Sequence, residues 1–185
     1  MDNNKVIKIA FVGTSSVGKT SLLWEYKKRM KNNPSVAFVH EAARDFFENN
    51  PTVKKRFAKD AQEKIQSLML KREKKAHGSG AKIILCDRSV IDAVVYVRST
   101  EDKEGANELF EKIRFWLPTY RKFFLLDPVD VIYKKDKIRQ EDKKVRQTFH
   151  KAFLEFFQEL KIPYELLSGT IEERMAKVDK LIGII

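Results

Sequence analysis

Gly13-Thr14-Ser15-Ser16-Val17-Gly18-Lys19-Thr20 satisfies the pattern GxxxxGK[ST], and its neighbours supply the context that pattern needs. Upstream, Val6-Ile7-Lys8-Ile9-Ala10-Phe11-Val12 is apolar enough for a buried parallel strand. Downstream, the stretch from Ser21 to Met30 reads as a helix with Leu22, Leu23, Tyr26 and Met30 on one side. Strand, loop and helix in that order make a phosphate-binding unit. The two glycines let the chain curl so that successive backbone N–H groups face inward, and the helix N-terminus adds partial positive charge. Lys19, expected to be exposed, would reach the terminal phosphates, and the Thr20 hydroxyl can ligate Mg²⁺. Residues Gly13 to Thr20, with Ser21 at the helix start, are therefore expected to hold a nucleoside triphosphate.

The chain has 185 residues, which suits one domain over 1–185 with a sizeable core. Hydrophobic residues at 43%, with 13 Phe, argue against disorder. No apolar run is long enough for a membrane span, and the first strand, broken by Lys8, does not serve as a signal-peptide core. Cys86 is the single cysteine, a pattern that suits a reducing cytoplasm. His40, His77 and His150 show no metal-ligand spacing with it, so zinc is not expected. The net charge of +11 comes from clusters such as Lys54-Lys55-Arg56 and Lys71 to Lys75. These are interleaved with acids on expected helices, and no recognition motif accompanies them, so nucleic acid is not the expected partner.

Strands and helices alternate throughout. The expected elements are strand 35–40, helix 41–48, a long helix begun by Asn50-Pro51 and closed at Gly78, and strand 81–86. Helices follow over about 89–98 and from about Gly105 until Pro118 stops the second, then strand 122–126. A helix over about 138–160 carries Val145, Phe149, Ala152, Phe153, Phe156 and Phe157 as a core stripe. Strand 164–167 and helix 171–182 complete the chain. Such alternation implies an α/β fold: a parallel sheet with helices on both faces and ligands at the strands' carboxyl ends.

Asp87 follows the apolar strand Ile83-Ile84-Leu85-Cys86, where a phosphate-loop protein places its second Mg²⁺ contact. Capping of the next helix is the alternative role. Arg88, at the mouth of the site, suits two-point binding of phosphate. A GTPase switch would also need a DxxG leaving a strand and an NKxD for guanine. The one DxxG, Asp102 to Gly105, follows polar Arg98-Ser99-Thr100-Glu101, and the fourth strand ends in Leu126-Asp127-Pro128 with no NKxD. ATP is the expected nucleotide.

Three further segments carry a resemblance. Glu41-Ala42-Ala43-Arg44 resembles an ExxR segment, and Asp87-Arg88-Ser89-Val90-Ile91-Asp92-Ala93 resembles a DRxxxDA stretch. Leu125-Leu126-Asp127-Pro128, then Asp136 to Asp142 and Arg146, resembles an LLDP…DGxRxxD…R lid, with Lys137 in place of its glycine. Together with the loop they are similar to NadR-type ribosylnicotinamide kinase domains and their AAA_28 ATPase relatives, over about Lys5 to Lys177. The resemblance implies a three-layer P-loop fold with strand order 2-3-1-4-5, a lid over about 129–147, and ATP with Mg²⁺ as cofactors. It suggests Glu41 as the group that accepts the acceptor hydroxyl's proton or orients its ribose, against an exposed first-turn acid. Arg44 is read as a substrate clamp or a surface ion-pair partner. Asp92 and Tyr96, four residues apart on one helix face, would touch a sugar or base, or in Tyr96's case pack at the core edge. Arg139, Asp142, Lys143 and Arg146 form one polar face, which places Arg139 and Arg146 over the phosphates or else in solvent. Ser168 and Thr170 occupy the loop that borders adenine in related kinases.

The expected protein is thus a Mg²⁺-dependent, ATP-using phosphotransferase acting on a nucleoside or nucleoside-like acceptor. The alternative is an ATPase or nucleotide-binding regulatory module that works through a partner. Oligomeric state is left open.

Overall fold

The computed structural model describes residues 6–129 and 143–183. Five strands form its sheet: β1 (Ile7–Val12), β2 (Val36–Val39), β3 (Ile83–Asp87), β4 (Tyr120–Leu126) and β5 (Tyr164–Leu167). The spatial order is β2-β3-β1-β4-β5, as the family resemblance implied, with every pairing parallel, as the alternation implied. Around it lie α1 (Lys19–Arg29), α2 (Ala42–Asn49), α3 (Lys59–His77), α4 (Ile91–Arg98), α5 (Lys103–Ile113), α6 (Lys143–Glu159) and α7 (Ile171–Ile182).

Alternation along the strands divides the core in two. Ala10, Val12, Ile84, Cys86, Phe123 and Leu125 face α3, α4, α5 and α6, where Phe149, Phe153, Phe156 and Phe157 are buried. Ile9, Phe11, Leu85, Phe124 and Leu126 face α1 and α7 through Leu22, Leu23, Tyr26, Val178 and Ile182. The phenylalanine stripe is therefore core. Because β1 sits between β3 and β4, its carboxyl end opens where the strand order reverses, the position at which such sheets bind ligands.

Several boundaries differ from expectation, three of them instructively. The long helix starts at Lys59, and Pro51 lies in a turn before it. Residues 50–58 find backbone partners without helix: Ala58 N–H donates to Lys55 O at 3.3 Å, and the Gln62 carboxamide donates to Arg56 O at 2.6 Å. Val53 and Phe57 still pack against the core, so their helix-like spacing was real burial on a non-helical path. α5 starts earlier than expected because Asp102 caps it, accepting from Gly105 N–H at 2.8 Å. The Asp102–Gly105 pattern is thus a helix start. α5 also ends at Ile113, and a 3₁₀ turn, Arg114–Thr119, carries the chain through Pro118 into β4.

β1 carries one charge into the interior. Lys8 is fully buried and pairs with Glu73 of α3 at 2.8 Å. Trp116 Nε1 and the Tyr120 hydroxyl donate to the same carboxylate at 2.8 and 2.6 Å, and the Lys8 ammonium lies 3.6 Å from the Tyr120 ring centroid. Burial lowers the Lys8 pKa, and Glu73 opposes that shift.

Candidate functional site

The loop between β1 and α1 leaves the sheet at Gly13 (φ 129°) and enters the helix at Gly18 (φ 89°). Both values lie where only glycine sits without strain. A Cβ on Gly13 would stand 3.2 Å from Leu126 O, so a side chain there would also press on the backbone of β4. Lys19 opens α1, yet it is only 4% exposed, contrary to expectation. Its chain folds back across the loop and the ammonium donates to Gly13 O (2.9 Å) and Thr14 O. Those two carbonyls stand in for water on two of the ammonium's three N–H donors, which offsets part of the cost of burial. Burial nevertheless lowers its pKa to about 7, with Arg88 adding to the shift against Asp87, Glu41 and Asp92.

Beside it, the Thr20 hydroxyl donates to Asp87 Oδ2 at 2.5 Å. Asp87 is at the last position of β3, does not cap α4, and is 1% exposed. Burial and the Glu41 charge raise its pKa, against Lys19, Thr20 and Arg88. Among the described residues its Oδ1 has no hydrogen-bond partner, nor do the hydroxyls of Thr14 and Ser16. Buried polar atoms are almost always partnered, so three orphans around one loop mark a place made for a polar ligand.

Arg88 is held in the left-handed region (φ 73°), an uncommon conformation for a side chain of its size. That turn aims the guanidinium back over the loop. Nε donates to Glu41 Oε1 at 2.7 Å, while Nη1 donates to Asp92 Oδ1 at 3.2 Å and to the Tyr96 hydroxyl at 2.7 Å. Burial works against its charge, but Glu41, Tyr96, Asp92 and Asp87 keep its pKa well above the ordinary value. Asp92 in turn accepts from Ser89 N–H and Ser89 Oγ–H, both at 2.9 Å, and so fixes the turn that carries Arg88. Glu41 stands at the N-cap of α2 without capping it, and its carboxylate faces inward onto Arg88. Arg72 of α3 donates to Glu41 O at 2.8 Å and holds that corner in place.

A cavity opens beside this arrangement. Ser15, Glu41, Arg44, Arg88, Asp92 and Tyr96 supply its polar wall, and Phe47, Phe57, Ile65 and Met69 its apolar one. Glu41, Arg44, Asp92 and Tyr96 are thus brought to one hollow beside the phosphate loop. Arg56, Gln62 and Gln66 also line it, and sequence reasoning missed them because Arg56 sits in a basic run and the glutamines on a helix.

Arg146 of α6 is 4% exposed, and it shares a helix face with Phe149 and Phe153, so it is neither solvated nor opposite the phenylalanine stripe. It donates to Ser15 O at 3.2 Å and to Ser16 O at 3.3 Å. Arg139 and Asp142 lie outside the described residues, as does most of the expected lid. Ser168 and Thr170 are exposed beyond the end of β5, and Thr170 caps α7, accepting from Glu173 N–H at 3.3 Å. A further arginine was missed. Arg174 of α7 is 2% exposed and donates to Val17 O at 2.6 Å and Asp127 O at 3.2 Å. Its signal was available: Arg174 falls between Ile171 and Val178 on the apolar face of its helix.

Comparison with known proteins agrees with this geometry. Two crystal structures of NadR protein superimpose on the chain: one in complex with NAD and AMP-PNP (TM-score 0.78, 17% identity, 98% of this chain and 51% of that chain) and one in complex with NR (TM-score 0.77, 16% identity, 98% and 52%). The chain therefore spans about half the length of the NadR proteins it matches. Deoxyadenosine kinase from M. mycoides matches with a TM-score of 0.62 at 16% identity, over 96% of this chain and 100% of that one. Among curated proteins, nothing matches. At these identities the likeness is one of fold, that of the P-loop kinases. The model of the AAA_28 family, an AAA domain, matches residues 8–174, a span that runs from the first strand to the buried arginine of the last helix. With loop, strand order and sequence in agreement over that span, the chain belongs to the AAA_28 family.

Proposed function

We propose that this chain is an ATP- and Mg²⁺-dependent phosphotransferase acting on a nucleoside or nucleoside-like small molecule. One observation carries the reading: the phosphate loop and the aromatic-walled cavity share a wall, made by Ser15, Glu41 and Arg88. A loop built only to bind or hydrolyse nucleotide has no need of a second, partly apolar hollow beside its phosphate end. The AMP-PNP, NAD and NR held by the NadR structures, and the kinase identity of the M. mycoides relative, support a donor nucleotide and a nucleoside-type acceptor.

In this reading Gly13 to Ser21 cradle the donor phosphates, and Lys19 releases the Gly13 and Thr14 carbonyls to meet them. Thr20 and the unpartnered Asp87 Oδ1 are hard oxygen ligands of the kind Mg²⁺ takes, the carboxylate in the usual way through water. A bound Mg²⁺ would offset charge on the terminal phosphates. Arg88 stands ready to neutralise the transferring group, with Arg139 from the expected lid as a further cation, while Arg146 supports the loop through the Ser15 and Ser16 carbonyls. Glu41 orients the acceptor hydroxyl and takes its proton. Arg44, Asp92 and Tyr96 shape the acceptor side, and the Ser168–Thr170 loop borders the base.

The test is ADP release from ATP, with and without a panel of nucleosides. Release should rise with at least one acceptor. Glu41→Gln should lower that rate by about a hundredfold while ATP affinity stays within about threefold, the signature of a group that works in the transition state. A panel with no stimulation, beside tight ATP binding, would favour the regulatory-module reading.

A further inference from the structure

We infer that Arg174 is a positioning residue of the phosphate site, although it lies 155 residues from Lys19 in sequence and on the last helix. The inference rests on the reading that the loop binds a nucleotide's phosphates. Three consecutive loop carbonyls, Ser15, Ser16 and Val17, each accept from a buried guanidinium: Arg146 takes the first two and Arg174 the third. The described peptides are all trans, and a trans peptide points its N–H opposite its carbonyl. Drawing those carbonyls outward therefore turns the N–H groups of Ser16, Val17 and Gly18 inward, toward the anion.

The Val17–Gly18 peptide needs this restraint most. Gly18 has φ 89°, and glycine resists rotation about that bond less than any other residue. The Arg174 guanidinium packs directly on it, with Nη1 3.3 Å from where a Gly18 Cβ would stand. Its Nη2 holds Asp127 O, one residue past the end of β4, so the fork ties the loop to the carboxyl edge of the sheet. Arg174 touches no reacting atom in this arrangement. It acts through the loop, by keeping the Gly18 N–H aimed before any phosphate arrives.

Inorganic tripolyphosphate is the probe, because it loads the loop without base, acceptor or turnover. Arg174→Met should weaken tripolyphosphate and ATP alike by about tenfold or more, the loss expected for a bond to a charged donor, while adenosine binding is unchanged. Arg174→Lys keeps the charge but cannot fork across two carbonyls, so its tripolyphosphate affinity should fall between the two. A purely structural arginine would lower the melting temperature without moving tripolyphosphate affinity in the folded protein. Normal affinity in a folded Arg174→Met protein would overturn the proposal, and if that variant does not fold, normal affinity in Arg174→Lys would do so. Equal loss of adenosine would also overturn it, by placing Arg174 on the base. Wild-type protein that binds neither tripolyphosphate nor ATP would instead remove the phosphate-site reading, and this proposal with it.

Discussion

Lys19 shows how a residue can be legible in type and misread in environment. Its place in the loop pattern announced a phosphate contact, but nothing in sequence shows that the loop offers two carbonyls for the ammonium to fold onto. The consequence is a pH dependence with a definite sign. In the free protein burial holds the Lys19 pKa at about 7, and bound phosphates would raise it. Binding then takes up a proton at and above neutral pH, so ATP affinity should be greatest below about 7 and weaken as pH rises from 7 toward 9. Calorimetry in buffers of differing ionisation heat should record proton uptake at pH 8 for wild type and much less for Lys19→Ala, which should also bind ATP at least about tenfold more weakly. Equal proton uptake in both proteins would assign the titration elsewhere. Arg88, Asp87 and Glu41 were legible because each stands at or just past the end of a strand. Arg56 and the two pocket glutamines were not, because a side chain's destination across a cavity leaves no periodic trace.

Among the elements, β5 and α7 match their sequence-read bounds because their signals are local: Thr170 and Glu173 form a capping box, and Gly183 ends the helix at φ 68°. The start of α3 was misread because apolar spacing continued through 53 and 57 while the backbone did not. The Lys8–Glu73 pair joins β1 to α3 and was invisible for a different reason, since its partners are 65 residues apart. Each charge does betray itself singly, Lys8 within an apolar strand and Glu73 on the buried face of α3 with Ile65 and Met69. Breaking such a pair from one side is costly. Glu73→Gln should destabilise the fold by about 3–5 kcal/mol because Lys8 is left buried and unpaired. Lys8→Met together with Glu73→Gln should return to within about 1 kcal/mol of wild type, since the amide can still accept from Trp116 and Tyr120. Urea unfolding of the three variants checks this. A double variant as unstable as Glu73→Gln alone would show that the cost lies in packing around the pair.

At the level of the fold, the parallel sheet and its two core faces follow from alternation of short apolar strands with amphipathic helices, whereas the strand order was legible only through the family resemblance. That pattern brings the ends of β1, β2 and β3 to one crevice, and with them Lys19, Glu41 and Arg88. What alternation does not encode is which helix reaches over the loop from the far side, and there α6 and α7 supply Arg146 and Arg174. Under the proposed function, the wall shared by loop and cavity lets a phosphoryl group pass from the nucleotide to an acceptor. Following the labelled terminal phosphate of ATP in the presence of a nucleoside panel tests this most directly, with GTP as the competing donor. The account predicts label on at least one nucleoside, with ATP used at least as well as GTP because no guanine-reading motif is present. Label recovered only as inorganic phosphate, or retained on the nucleotide across the whole panel, would contradict it.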